Sequence, residues 1–204
     1  METNRQYSRY APFNIGQRFR LIAPDTDPDT SERIDIIMAR GAFGSGEHET
    51  TASCIEMLEE LPDLTGQTIL DLGSGTAILS IAAQKLGAGK ALCVDIEPKA
   101  VTSAQYNCRL NAIDNNIEHR CGTLDAINET QFDLILANIY GDILLDVCAD
   151  LVKKVRPGGM LLLSGMLWEY NFDVRKKYEK GGCTVLKNRF MEEFSTVLLQ
   201  KIAL

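Results

Sequence analysis

From Thr50 onward, apolar positions alternate between a helical period and short unbroken runs. Cys54, Met57, Leu58 and Leu61 recur at three- and four-residue spacing, which predicts a helix over Thr51–Leu61. Thr68–Leu72 reads as a strand ending at Gly73, and Ala77–Leu86 as a helix with Ile78, Ile81, Ala82 and Leu86 on one face. Ala91–Val94 is a strand ending at Asp95. Pro98 suits the first turn of a helix over Pro98–Asn111. A short strand follows at Ile117–Arg120, and the continuous apolar run Phe132–Ala137 predicts a strand buried on both faces. Asp142–Val155 reads as one helix stopped by Pro157-Gly158-Gly159, and Met160–Leu163 as the next buried strand. Trp168–Glu179 is the last helix, with Thr184–Leu186 and Ser195–Ile202 as a closing antiparallel pair. Residues 1–40 show no such order; Pro12, Pro24 and Pro28 mark turns, and only Arg33–Met38 reads as a strand.

Alternating strands and helices require right-handed crossovers and a parallel sheet covered on both faces. Such sheets bind ligands at the carboxyl ends of their strands, near the point where strand order reverses. The residues at those ends are Gly73, Asp95, Asn138 and Ser164.

Composition narrows the classes. The 204 residues suit one domain with a real core plus a short extra segment. No apolar run approaches the ~20 residues that span a bilayer, and the amino terminus lacks an apolar signal core, so neither a membrane nor secretion is expected. The formal charge is −7, from 21 Lys and Arg against 28 Asp and Glu, which argues against nucleic acid as the main ligand. Arg5, Arg9, Arg18 and Arg20 make a locally basic start, read as solvated surface or as an arm that docks a partner. Six cysteines without a C-x-x-C pair suit unpaired thiols in a reducing cytoplasm, and no metal site is expected.

The chemistry centres on Asp71-Leu72-Gly73-Ser74-Gly75-Thr76-Ala77, which follows a strand and opens a helix. Gly73 and Gly75 let the backbone turn sharply and let a ligand approach. A dinucleotide fingerprint would place a third glycine at position 78, which is Ile, and no P-loop lysine is present. Asp95, ending the next strand, can accept both hydroxyls of a ribose. An adenosine-bearing cofactor without a pyrophosphate fits this pair, and S-adenosylmethionine is such a cofactor. Asn138 supplies one carbonyl acceptor and two amide donors where the cofactor's reactive end would lie.

A fourth element is Gly41-Ala42-Phe43-Gly44-Ser45-Gly46-Glu47-His48-Glu49-Thr50-Thr51. It resembles the Gly-x-Ala-Phe-Gly-Thr-Gly-x-His-x-Thr-Thr signature of the PrmA family, the ribosomal protein L-eleven methyltransferases. The resemblance continues through Asp71–Ala83, Val94–Pro98, Asp133–Tyr140 and Pro157–Gly165. It implies a doubly wound, mostly parallel seven-stranded Rossmann-like α/β methyltransferase sheet with a C-terminal antiparallel hairpin. It implies cofactor contacts at Phe43, Ser45, Thr51, Asp71, Gly73, Gly75, Asp95, Ile96 and Asn138. Ser45 replaces the usual Thr, and Ala77 stands where a third loop glycine is usual, which can narrow the cofactor pocket.

Residues 1–40 then read as an arm or linker and 41–204 as the methyltransferase domain, with the family's N-terminal substrate-recognition domain lacking. The acceptor implied is an amine nitrogen, a protein lysine or N-terminal amine, and with that domain lacking it is expected to differ from the family's ribosomal protein. Asn138 is expected to align that amine, and His48 to relay a proton or to cap a helix. The alternatives are a small-amine methyltransferase, a cofactor-binding scaffold without turnover, and an NAD-dependent oxidoreductase, the last disfavoured by the missing glycine.

Overall fold

The computed structural model describes residues 10–26, 32–39 and 46–203. Two sheets are present. Strands β1 (Phe13–Ile15), β2 (Phe19–Ile22) and β3 (Ile34–Ile37) form the small one. The large one contains β4 (Thr68–Leu72), β5 (Lys90–Asp95), β6 (Ile117–Cys121), β7 (Phe132–Asn138), β8 (Val155–Leu167), β9 (Cys183–Phe190) and β10 (Phe194–Lys201). Its spatial order is β6-β5-β4-β7-β8-β10-β9. All neighbours are parallel except β10, which is antiparallel to both β8 and β9. The order reverses between β4 and β7, so the cleft predicted for a ligand opens there.

Alternate strand residues divide between two cores, as the two-residue strand period dictates. Ile69, Cys93, Leu134, Leu136 and Leu162 pack on one face with α1 (Glu49–Glu59), α2 (Ile78–Lys85) and α3 (Pro98–Leu110). Leu70, Leu72, Ile135, Ala137, Leu161 and Leu163 pack on the other with α4 (Gly141–Asp146), α5 (Cys148–Lys154) and α6 (Trp168–Lys180). Burial on both faces explains why these strands read as unbroken apolar runs.

Three expectations need correction. Among the described residues of the first forty, strands form beyond the one expected at Arg33–Met38: β1 and β2 pair antiparallel, and β3 joins parallel. Arg20 crosses from β2 to clasp Asp35 of β3 through two bonds of 2.7 and 2.8 Å. Phe19, Leu21, Ile36 and Met38 enter the same core as α1 and α2. The helix expected over Asp142–Val155 is two helices broken at Val147. Pro157-Gly158-Gly159 lies inside β8, where pairing with β7 jumps from Val155 to Met160. Residues 156–159 sit in that irregularity, so proline's missing N–H removes no ladder bond.

Candidate active site at the carboxyl edge

The glycine loop leaves β4 and folds over the end of β5. Gly73 and Ser74 donate their N–H groups to the Val94 carbonyl at 2.8 and 3.1 Å. Gly73 has φ +71° and Gly75 φ +53°, conformations that favour glycine. A Cβ on Gly73 would lie 2.3 Å from Ile139 Cγ2, so only glycine lets the loop pass the end of β7. Ala77 caps α2 at φ +64°, in the same left-handed region and fully buried. Its departure from the usual glycine is thus a cost in backbone strain.

Asp95 faces this loop. Its Oδ2 accepts from Gly75 N at 2.8 Å, and its Oδ1 from Glu97 N at 2.9 Å. A carboxylate offers about four lone-pair positions, so acceptor capacity remains. Ile96 beside it is 65% exposed, an apolar side chain open at the strand end. Asp71 is buried beneath the loop and accepts from Ser80 Oγ at 2.7 Å, and the Cys93 thiol donates to that hydroxyl at 3.1 Å. Burial pushes the Asp71 carboxyl up to about 6, although the Ser80 bonds favour its charged form.

On the other side of the reversal, Asn138 is the last residue of β7, in register with Ser164. Its half-buried side chain makes no hydrogen bond to another described residue. Gly165, at φ +80°, lets β8 close on it; a Cβ there would lie 2.9 Å from Asn138 Oδ1. Ser164 is buried, and its hydroxyl shares a 2.7 Å bond with Thr196.

The start of α1 borders the same edge. His48 is its N-cap: Nδ1 accepts from Thr50 N at 3.3 Å and pairs with Thr50 Oγ1 at 2.8 Å. The imidazole meets Phe194 edge-on, with ring centroids 5.0 Å apart. Thr51 is buried in the first turn and donates its N–H to His48 O at 3.0 Å. Glu49 accepts from the N–H groups of Glu192 and Glu193 at 3.2 and 3.3 Å, tying α1 to the β9–β10 turn. Phe43 and Ser45 lie outside the described residues.

Sequence reasoning missed two buried asparagines one turn apart, Asn107 in α3 and Asn111 at its C-cap. Asn107 accepts from Ala39 N at 3.0 Å and donates to the Thr76 carbonyl at 3.2 Å, joining the leading segment to the glycine loop. Asn111 accepts from Ile37 N and donates to Ile37 O, at 3.0 and 2.7 Å. The available signal was a polar residue recurring at i, i+4 beside apolar Ala104 and Cys108. A cavity of about 700 Å³ lies between the first strand and α1, bordered by Tyr10, Phe13, Glu47 and Glu56. It touches neither the glycine loop nor Asn138, so loop conformation and side-chain chemistry locate the site.

The chain matches the family described as ribosomal protein L11 methyltransferase (PrmA) over residues 3–201. It is 40% identical over 171 residues to the ribosomal protein L11 methyltransferase of Pelobacter propionicus, covering 79% of this chain and 54% of that protein. It is 38% identical over 194 residues to that of Geobacter metallireducens, covering 94% of this chain and 63% of that protein. The chain thus spans between half and two thirds of the length of these relatives. The crystal structure of a ribosomal protein L11 methylase from Lactobacillus delbrueckii subsp. bulgaricus superimposes with a TM-score of 0.85 at 26% identity, covering 96% of this chain and all of that one. A family match over nearly every residue, on a sheet whose reversal gathers the predicted loop, acid and amide, makes this chain a member of the PrmA family.

Proposed function

We propose that this chain transfers the methyl group of S-adenosylmethionine to an amine nitrogen of a protein, with the ribosomal protein named for its relatives as the first acceptor to test. The observation that carries this reading is the asymmetry across the sheet reversal. A glycine loop held by Asp95 stands on one side, and on the other an Asn138 amide that makes no hydrogen bond to another described residue. The residues present fit the cofactor. Asp95 keeps lone pairs for ribose hydroxyls, Gly73 and Gly75 leave the backbone open, and Ile96 offers apolar surface to an adenine ring. Asp71 acts through the loop it supports, and Thr51 through the helix start beside it.

Bound S-adenosylmethionine would supply an already activated methyl donor, so the protein's task is alignment and a neutral acceptor. A lysine amine with pKa near 10.4 costs about 4.6 kcal/mol to deprotonate at pH 7. Desolvation in the cleft lowers that cost, and the Asn138 carbonyl can hold a neutral amine by accepting one N–H. His48 spends Nδ1 on the helix cap, leaving Nε2 as the ring nitrogen free to relay a proton. In this reading residues 41–204 carry the transfer, residues 1–40 are an arm or linker segment, and the protein works in the cytoplasm.

Calorimetry with S-adenosylhomocysteine and NAD tests the cofactor; binding of NAD alone would overturn it. Radiolabelled methyl transfer to purified ribosomal protein L11, and to cell extract with mass spectrometry of the labelled band, tests the acceptor. Label recovered only in small molecules would move the function to the small-amine class.

A further inference from the structure

Nine large apolar side chains are exposed among the described residues, and six of them gather at one edge of the molecule: Tyr140, Ile143, Leu167, Trp168, Phe172 and Phe190. Each belongs to a segment at the carboxyl edge of the large sheet. Tyr140 follows β7, Ile143 lies in the first turn of α4, and Leu167 and Phe190 end β8 and β9. Trp168 and Phe172 lie one turn apart at the start of α6. Backbone contacts bind these segments together. Ile139 N donates to Ser164 O at 3.0 Å, Trp168 N to Glu193 O at 3.1 Å, and Leu167 is paired with Phe194. Gly141 packs so closely on α6 that a Cβ would lie 2.6 Å from the Tyr170 ring. Asn138 begins this strip.

Its charge is mostly acidic, and the bases nearest Phe190, Lys187 and Arg189, are paired with Glu60 and with Glu56 of α1. No Lys or Arg occurs in residues 121–152 or 157–174. Exposed Asp142, Asp146, Glu169, Asp173, Glu192 and Glu193 border the apolar strip. The first base on α6, Arg175, donates to Asn171. A contiguous apolar strip rimmed by polar groups marks an interaction surface, and an acidic rim selects a basic partner.

We propose that this strip is the docking surface for the polypeptide segment that carries the acceptor amine, a segment of net positive charge with apolar anchors. The proposal rests on the methyl-transfer reading above. A second copy of the chain is disfavoured, because it would bring a molecule of charge −7 and the same acidic rim against itself. A small amine does not need such a surface: strands β7 to β9 are three spacings apart in the sheet, roughly 14 Å, about the length of four extended residues. Aromatic anchors beside the reacting centre would raise the local concentration of lysine without entering the chemistry.

Trp168 is the only tryptophan, so its emission reports directly on this surface. The experiment titrates the full chain, with S-adenosylhomocysteine present, with a lysine-rich peptide, a glutamate-rich peptide of equal length, and purified ribosomal protein L11. In parallel, methyl transfer to ribosomal protein L11 is measured for wild type, Phe172→Ala and Phe172→Asp. The expected result is a saturable shift of Trp168 emission with the lysine-rich peptide and ribosomal protein L11 but not with the glutamate-rich peptide. Phe172→Ala should raise KM about fivefold and Phe172→Asp at least tenfold, with kcat and S-adenosylhomocysteine affinity unchanged. Methyl transfer with wild-type KM in both variants overturns the docking surface and leaves the reaction standing. A Trp168 response without transfer to any protein keeps the surface and overturns the reaction. Trp168 emission that changes with the chain's own concentration, together with dimers by light scattering, assigns the strip to self-association and overturns the proposal.

Discussion

The two halves of the cleft are built differently. On the β4–β5 side, polar groups are answered within the chain: Asp95 by two backbone N–H groups, Asp71 by Ser80, and the Thr76 carbonyl by Asn107. On the β7–β8 side, the Asn138 amide makes no hydrogen bond to another described residue, and the neighbouring aromatics stand in solvent. A ligand of fixed shape can be met by a site assembled in advance, whereas a macromolecular partner brings its own surface to complete an open one. Mutations on the two sides should therefore separate binding from turnover.

The largest separation should come from Asn138. Asn138→Ala removes alignment, and Asn138→Asp holds the amine as an ammonium by raising its pKa. Both should lower single-turnover methyl transfer about 100-fold, the scale of a misplaced reactant, while S-adenosylhomocysteine affinity stays within about twofold. Wild-type turnover in Asn138→Ala would make the residue a turn former. Loss of cofactor affinity alone would move it to the other half of the cleft.

Asp71 probes the buried support. Its native carboxyl sits at about 6 against an ordinary 3.8. The raised native value means that the folded state holds the proton more tightly, so this contribution is full below the unfolded value and is lost as pH rises through about 6. Wild type should lose about 2 kcal/mol relative to Asp71→Asn between about pH 4.5 and pH 7. Urea titrations across that window would read it, and parallel stability curves would sink the assignment.

Asp95→Ala deletes charge-assisted acceptors worth about 1.5–3 kcal/mol each. S-adenosylhomocysteine affinity should fall at least tenfold by calorimetry, with kcat at saturating cofactor nearly intact. Unchanged affinity in a folded variant would remove Asp95 from the site. The smallest effect is expected at Ala77. Glycine relieves about 1–2 kcal/mol of left-handed strain but gives up a buried methyl worth about 0.8 kcal/mol. Ala77→Gly should thus stabilise the chain by about 0.5 kcal/mol in denaturant titration, and a destabilised variant would show that the methyl's packing outweighs the strain.

Legibility in the sequence followed the same division. The parallel sheet was readable because strand stretches buried on both faces, such as positions 134–137 of β7, appear as plain apolar runs between helical periods. The glycine loop was readable because Gly73 and Gly75 answer a local backbone demand. Of the small sheet only β3 was readable, within Arg33–Met38; β1 and β2 were not, because they are three and four residues long and are held by distant partners. Glu59, for instance, accepts from the N–H groups of Gln17 and Arg18 at 2.8 Å. The break at Val147 leaves apolar periodicity intact on both sides, so the pattern alone joins α4 to α5. Trp168 and Phe172 share one face of α6 at helical spacing, and only the fold shows that this face stands in solvent.

The distribution of thiols turns this chain into its own counter. Cys54, Cys93, Cys108, Cys148 and Cys183 are buried, while Cys121 is exposed at the end of β6. Burial pushes Cys54 and Cys108 up to about 12 and Cys148 to about 11, which removes the thiolate that alkylating reagents need. A colorimetric thiol reagent should therefore titrate one sulfur per folded chain and six per unfolded chain. Because Cys121 lies opposite Asp95 in the ladder, that single accessible sulfur also stands beside the carboxylate that holds the glycine loop.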